Sequence, residues 1–114
     1  MVNKVILIGN VGRDPEVRYI AANTPTTTIS LATTENYTDK QGAQQSRTEW
    51  HRVVLWHALA QLAEKHIRKG TQLYVEGRLA TRSYTDKTGV QRSVTEVVAE
   101  TVKLLGSHPQ STNE

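Results

Sequence analysis

The chain has 114 residues, enough for one domain with a single modest core and too few for two. Hydrophobic residues make up 37% and charged residues 22%, which is typical of a folded globular domain rather than of a disordered chain. The formal charge of +3 is compatible with a polyanionic partner without requiring one, and the lack of Cys excludes disulfides, thiolate metal sites and thiol nucleophiles.

The first part of the chain has strand character. Residues 5–8 are apolar on both faces of a strand, and Gly9 and Gly12 favour a bend after them. This apolar run is too short for a signal peptide or for a membrane span of about 20 residues, so we expect neither. A short extended piece at 16–20 leads into a second main strand at 26–34, which is rich in Thr with apolar residues at alternate positions.

An internal echo predicts two hairpins. Residues 37–49 recur as residues 84–96, with nine of the thirteen positions identical. Each copy contains an Asp-Lys-x-Gly turn between strand residues, with a Tyr just before the tip. A repeat architecture needs at least about three repeats. Shared turn chemistry alone is enough to explain the echo.

The hydrophobic period changes after Trp56. Helical spacing predicts a helix whose apolar stripe is Leu59, Leu62, Ala63, His66 and Ile67. Cations in the last turn, followed by Gly70, favour the end of that helix. Two further strands are predicted, at 71–84 and 93–105.

The element order predicts an all-β fold. Three strands, a helix and two strands form the plan of the OB-fold, a five-stranded Greek-key barrel with one helix between strands 3 and 4. The echoed segments add two extended hairpins to this plan. We expect the domain to span residues 1–105 and residues 106–114 to form a short flexible C-terminal tail.

The predicted strand at 48–56 has two unlike faces. One carries Trp50, Arg52, Val54 and Trp56, and the other carries Glu49, His51, Val53 and Leu55. The second face suits a core or a subunit contact. A guanidinium between two indoles fits a surface that stacks bases and neutralises phosphates. One core indole with a snorkelling Arg at its edge explains the strand equally well.

Cations and rings also alternate on the strand after the helix, where Arg78, Arg82 and Tyr84 share one face. For Tyr84 and its counterpart Tyr37, the alternative to base stacking is an ordinary surface role at a hairpin tip. For Lys69, capping of the helix C-terminus by a cation fits as well as phosphate binding.

The sequence offers little support for an enzyme. His51 and His57 share a strand face, but roughly 20 Å of strand separates them, too far for one metal ion. The Gly9-x-x-Gly12 pair lacks the third Gly and the helix of a dinucleotide fingerprint, and neither a P-loop nor a nucleophile-elbow sequence occurs. We expect no catalytic residue, no metal and no cofactor.

Several short motifs are specific in combination. They lie at residues 2–12, 14–19, 31–33, 48–55, 62–63, 68–70, 75–77 and 95–98. Together they resemble the bacterial-type single-stranded DNA-binding proteins, over roughly residues 2–105. The resemblance implies an OB-fold homotetramer that binds single-stranded DNA with little sequence preference. It also implies a role in protecting and organising that DNA in replication, recombination and repair, in the cytoplasm at the nucleoid.

The resemblance also implies the site residues. The residues that stack on bases are Tyr37, Trp50, Trp56 and Tyr84. The residues that contact phosphates are Lys4, Arg18, Arg52, Lys69, Arg78 and Arg82. The residues at subunit contacts are Asn3, Val5, Leu7 and His51.

The chain departs from the family pattern at several places. Tyr37 and Tyr84 are smaller platforms than the Trp that relatives often have, and Ala58, Ala80 and Ser83 stand where relatives often carry a cation. The sequence ends at Glu114 without the family's long acidic tail closing on Pro-Phe, and it contains no Phe, so it is either a shortened form or a relative without that tail. We therefore expect only weak recruitment of replication and repair proteins. The alternatives are an OB module of the primosomal accessory or RNA-binding kind, and a structural oligomer whose aromatic face is an interface.

Overall fold

Six β-strands and one α-helix make up the computed structural model, which describes residues 1–20 and 23–107. The strands are β1 (Val5–Val11), β2 (Glu16–Ile20), β3 (Thr24–Thr38), β4 (Gln44–Trp56), β5 (Thr71–Thr85) and β6 (Gln91–Ser107). The helix α1 (Ala58–His66) lies between β4 and β5.

Five of these strands close into a barrel in the order β1-β5-β6-β4-β3. Closure comes from β3 pairing back onto β1, where Asn10 lies opposite Ala32 and Val11 opposite Leu31. The pairings are antiparallel except that of β4 with β6, which run parallel. With α1 between the third and fourth barrel strands, the predicted OB-fold is confirmed.

The short extended piece predicted at 16–20 forms an additional strand. As β2, it pairs antiparallel with β3, from Glu16 opposite Thr28 to Ile20 opposite Thr24. This edge strand brings Arg18 to the margin of the outer face of β3 and β4.

The barrel interior is filled by aliphatic side chains from β1, β3, β4, β5 and β6. Val53 and Leu55 are fully buried, so the inner half of the β4 face predicted to suit a core does lie in it, whereas Glu49 on the same face is exposed. On β1, Val5 and Leu7 are partly buried against this core, whereas Ile6 and Ile8 are more than half exposed. The doubly apolar first strand therefore has one face in the barrel and the other on its surface.

The helix packs on the core through small residues. Ala60 and Ala63 are fully buried, Ile67 follows in the core just after the helix, and the Thr27 hydroxyl donates to the Ala60 carbonyl at 3.1 Å. His66 is exposed, so its predicted place in the apolar stripe is wrong. Small side chains allow the close approach of helix to barrel that this bond requires.

The two predicted hairpins are present and have the same turn. At the tip of β3–β4, the Asp39 carboxylate accepts hydrogen bonds from the backbone N–H groups of residues 41 and 43. At the tip of β5–β6, Asp86 accepts from those of residues 88 and 90. Threonine pairs also link the strands at matching positions, Thr34 with Thr48 and Thr81 with Thr95. The sequence echo therefore corresponds to the same Asp turn and the same cross-strand threonine pair in both hairpins.

The final strand is longer than predicted. It continues to Ser107, so residues 106 and 107 belong to β6 and not to a loose tail. The remaining residues of the predicted tail, 108–114, lie outside the described part of the chain.

Candidate nucleic-acid interface

An open groove of about 590 Å³ runs across the outer face of the barrel. Its lining comes from β2 to β6 and includes Trp56, three guanidinium groups and two carboxylates. The charged side chains in this lining are Glu16, Arg18, Arg52, Arg82 and Glu96. Because strand alternation places Arg52 and Trp56 on one face of β4, the predicted interleaving of cation and ring is present here.

Trp56 is the aromatic platform of this groove. It ends β4, opposite Thr26 of β3, and 38% of the residue is exposed. Its ring centroid lies 6.2 Å from that of His57, with the two planes inclined at 43°. His57 has φ of 56°, an unusual value for a residue with a Cβ, and this turn directs the chain from β4 into α1.

Arg52 and Arg82 meet at one buried carboxylate. Glu96 on β6 is only 6% exposed and accepts from Arg52 Nε at 2.6 Å and from Arg82 Nη2 at 3.1 Å. Burial of the Glu96 carboxyl opposes its ionisation, but the hydrogen bonds and charges of the two arginines outweigh it and lower its pKa. Glu96 was not among the predicted site residues. The sequence does hold one signal, since Val94 and Val98 flank Glu96 on the same strand face and leave it as an isolated charge between them, although this pattern does not identify its partners.

The second indole lies in a separate hollow. Trp50 is 61% exposed and lines this hollow together with Gly12 and Lys69. Gly12 is in close contact with the indole, since a Cβ built on it would fall 2.3 Å from Cζ3 of Trp50. Asp14 accepts from the Lys69 backbone N–H at 2.8 Å and so fixes the loop that follows the helix. Both indoles are on the surface, and the alternative of a core indole is wrong.

The two hairpin tyrosines are each covered by a guanidinium. Tyr37 and Tyr84 are 42% and 43% exposed. Arg47 lies 5.3 Å from the centroid of the Tyr37 ring, and Arg82 lies 5.9 Å from that of Tyr84. Such cation–π contacts hold a ring in place while leaving its other face open. Arg47 was not predicted, because its partner becomes a neighbour only when the hairpin closes.

The remaining predicted phosphate contacts are dispersed. Arg18 lines the groove and pairs with Glu16 at 3.3 Å, and Arg78 is exposed on β5 opposite Val98. Lys4 instead pairs with Glu76 on the outer face of β1 and β5. The hydrogen bond and charge of Glu76 raise the pKa of Lys4, and the same hydrogen bond lowers the pKa of Glu76.

The predicted subunit-contact residues have different environments. Asn3 forms two hydrogen bonds with the backbone of Leu79, at 3.0 and 2.9 Å. His51 is half-buried, with Nε2 2.8 Å from the Thr33 hydroxyl. Val5 and Leu7 point toward the barrel core. The apolar side chains of β1 that remain exposed are Ile6 and Ile8.

Within residues 1–20 and 23–107, no three His, Asp or Glu side chains come together as a metal site requires. The same part of the chain has no helix long and apolar enough to cross a membrane.

Known proteins resemble this chain in both sequence and fold. Residues 2–105 match the model of the single-strand binding protein family. The chain is 47% identical over 105 residues to Single-stranded DNA-binding protein 1 of Xylella fastidiosa (strain 9a5c), covering 91% of this chain and 77% of that protein. Among solved structures, a chain of the Plasmodium falciparum SSB complex with ssDNA superposes with a TM-score of 0.80 at 32% identity, covering 92% of this chain and 96% of the other. The chain therefore belongs to the single-strand binding protein family.

Proposed function

We propose that this protein binds single-stranded DNA with little sequence preference and has no catalytic role. The observation that carries the proposal is the placement of two exposed indoles and several guanidinium groups on the outer surface of one closed barrel. Indoles in such positions stack on any base, and guanidinium groups neutralise the backbone between stacked bases. The family relatives named for single-stranded DNA support the choice of ligand.

The stacking residues are proposed to be Trp50, Trp56, Tyr37 and Tyr84. Each is at least 38% exposed, and stacking on an aromatic side chain contributes about 1–3 kcal/mol per base. Four platforms at the lower end of that range give about 4 kcal/mol, roughly millimolar affinity, before any phosphate contact. The cations must therefore supply much of a useful affinity.

The phosphate contacts are proposed to come from Arg18, Arg52 and Arg82 in the groove and from Lys69 beside Trp50. Arg78 extends the same face of β5 away from the hairpin tip, since it precedes Arg82 and Tyr84 in the same strand period. Lys4 is the least favoured of the predicted contacts, because it pairs with Glu76 on the outer face of β1 and β5 and lines neither the groove nor the hollow beside Trp50.

Binding to oligo-dT tests this proposal through the intrinsic fluorescence of the two indoles. We expect dT to quench it, and we expect Trp56→Ala and Trp50→Ala each to weaken binding by about 1–3 kcal/mol. Tyr19→Ala is the matched control, because Tyr19 is 57% exposed but its hydroxyl points to Glu64 of the helix. Unchanged emission and no dT binding at low salt would refute the proposal and favour a structural oligomer. Equal affinity for an oligo-U RNA would favour an RNA-binding module.

We further propose that the protein acts as a homotetramer, protecting and organising unpaired DNA during replication, recombination and repair at the nucleoid. Support for self-association comes from the outer face of β1 and β5, where Ile6 and Ile8 are 56% and 55% exposed beside Tyr74. Contiguous exposed aliphatic residues are typical of a contact surface. Sedimentation should give a tetramer for the wild-type chain and smaller species for Ile8→Glu. A wild-type monomer would contradict this part of the proposal.

A further inference from the structure

Glu96 is a buried acidic residue that lies between two of the three guanidinium groups of the groove. Its side chain is 6% exposed, and it is joined to β4 by Arg52 and to β5 by Arg82. Arg52 donates through Nε at 2.6 Å, and Arg82 donates through Nε at 3.2 Å and Nη2 at 3.1 Å. A buried carboxylate with this many partners stays in place, because exposing it or leaving it unpaired is costly.

The hydrogen bonds to Glu96 engage only some of the N–H donors of the two arginines. Arg52 engages one of its N–H donors and Arg82 two, so each keeps donors for a second acceptor. Their side chains are 41% and 53% exposed, and both line the groove. A phosphate can therefore reach them while Glu96 remains bound.

The cluster of Arg52, Arg82 and Glu96 carries less positive charge than its two cations would carry alone. Two guanidinium groups and one ionised carboxylate carry a single net positive charge. The counterions that DNA binding releases depend on the charge that the site offers to phosphate. Although the cluster has two cations, it should therefore contribute to the salt dependence of DNA affinity as a single cation does.

Building on the proposed function, we propose that Glu96 is the affinity-setting residue of the groove. It acts as a fixed internal anion that holds Arg52 and Arg82 in position and cancels one of their two charges. The protein thereby keeps two well-placed phosphate donors while limiting how tightly it holds DNA at this point. Glu96 is thus a positioning residue that acts through the arginines and not a contact to DNA.

The test is the salt dependence of oligo-dT binding by Glu96→Gln, which keeps the size of the side chain and removes its charge. We expect the slope of log K against log salt to steepen by about 0.7, the value for one added phosphate on a single strand. Affinity should then rise about fivefold more than in the wild type when salt is lowered tenfold. Glu100→Gln is the control, because it removes the same charge from an exposed position of the same strand and should leave the slope nearly unchanged.

Weaker dT binding by Glu96→Gln with an unchanged slope would overturn the proposal, since Glu96 would then only support the fold.

If Glu96→Gln does not fold, the double variant Glu96→Gln/Arg82→Gln restores the net charge of the cluster and should show the wild-type slope. On the wild-type chain, the Nε–H signals of Arg52 and Arg82 in NMR spectra should persist when dT is added. Their loss would mean that phosphate displaces Glu96 and would also overturn the proposal. A wild-type chain that binds no dT at any salt refutes the proposed function instead.

Discussion

The contact between Gly12 and Trp50 makes a sharp test of how the second hollow is built. A Cβ added at Gly12 would lie 2.3 Å from Cζ3 and 2.7 Å from Cη2 of the indole. Carbon atoms normally approach to about 3.5 Å, so Gly12→Ala must move the ring by roughly 1.2 Å. The backbone itself accepts Ala, because Gly12 is not among the glycines with positive φ.

Movement of the indole should cost binding rather than stability. Trp50 is 61% exposed, so the ring can shift into solvent, and we expect the free energy of unfolding to change by no more than about 0.5 kcal/mol. A displaced platform should lose the lower part of the 1–3 kcal/mol stacking contribution, which weakens dT binding about fivefold.

A double-mutant cycle checks that the effect passes through the indole. Oligo-dT affinity is measured for Gly12→Ala, Trp50→Ala and the double variant, with urea unfolding of each as the stability control. If Gly12 acts only by positioning Trp50, the double variant should bind like Trp50→Ala alone. Additive losses, or full affinity in Gly12→Ala, would refute the reasoning.

Three further perturbations test other parts of the structure. His57→Gly should raise the free energy of unfolding by about 1 kcal/mol by relieving the positive φ, whereas His57→Ala should not; thermal melts of both variants decide this. The Glu96 carboxyl has a pKa below its ordinary value of 4.5, so its ionised form adds to the free energy of unfolding in full at pH values above 4.5. This contribution is lost as pH falls through the folded-state pKa, so urea unfolding below pH 4.5 should show a shallower pH dependence in Glu96→Gln; an identical acid limb would contradict the assignment. Asp86→Asn should speed amide exchange at residues 88 and 90 without lowering global stability, and unchanged exchange would mean that the Asp86 carboxylate does not hold the turn.

Hydrophobic period was enough to predict the barrel strands and the helix in their order along the chain. It could not show that residues 16–20 pair as a strand, because an edge strand has no buried face to leave a pattern. Nor could it orient β1, where both faces are apolar and either could have filled the core. The structure resolves this in favour of Val5 and Leu7.

The aromatic part of the candidate site could be predicted from the sequence because Trp50, Arg52 and Trp56 share one face of a single strand. The parts that were missed depend on contacts between strands. Glu96 meets Arg52 across 44 positions of sequence, and Gly12 meets Trp50 from the end of β1. No local pattern specifies such neighbours, since they exist only once the barrel closes.

The outer parts of both hairpins consist of exposed residues, while the inner parts of the same strands fill the core. Each of these strands therefore has a rigid inner part, packed in the barrel, and an outer part with few packing contacts to hold it. We expect the β3–β4 and β5–β6 hairpins, which carry Tyr37 and Tyr84, to tilt independently at little cost to the barrel. The same barrel could then bind ligands of differing curvature.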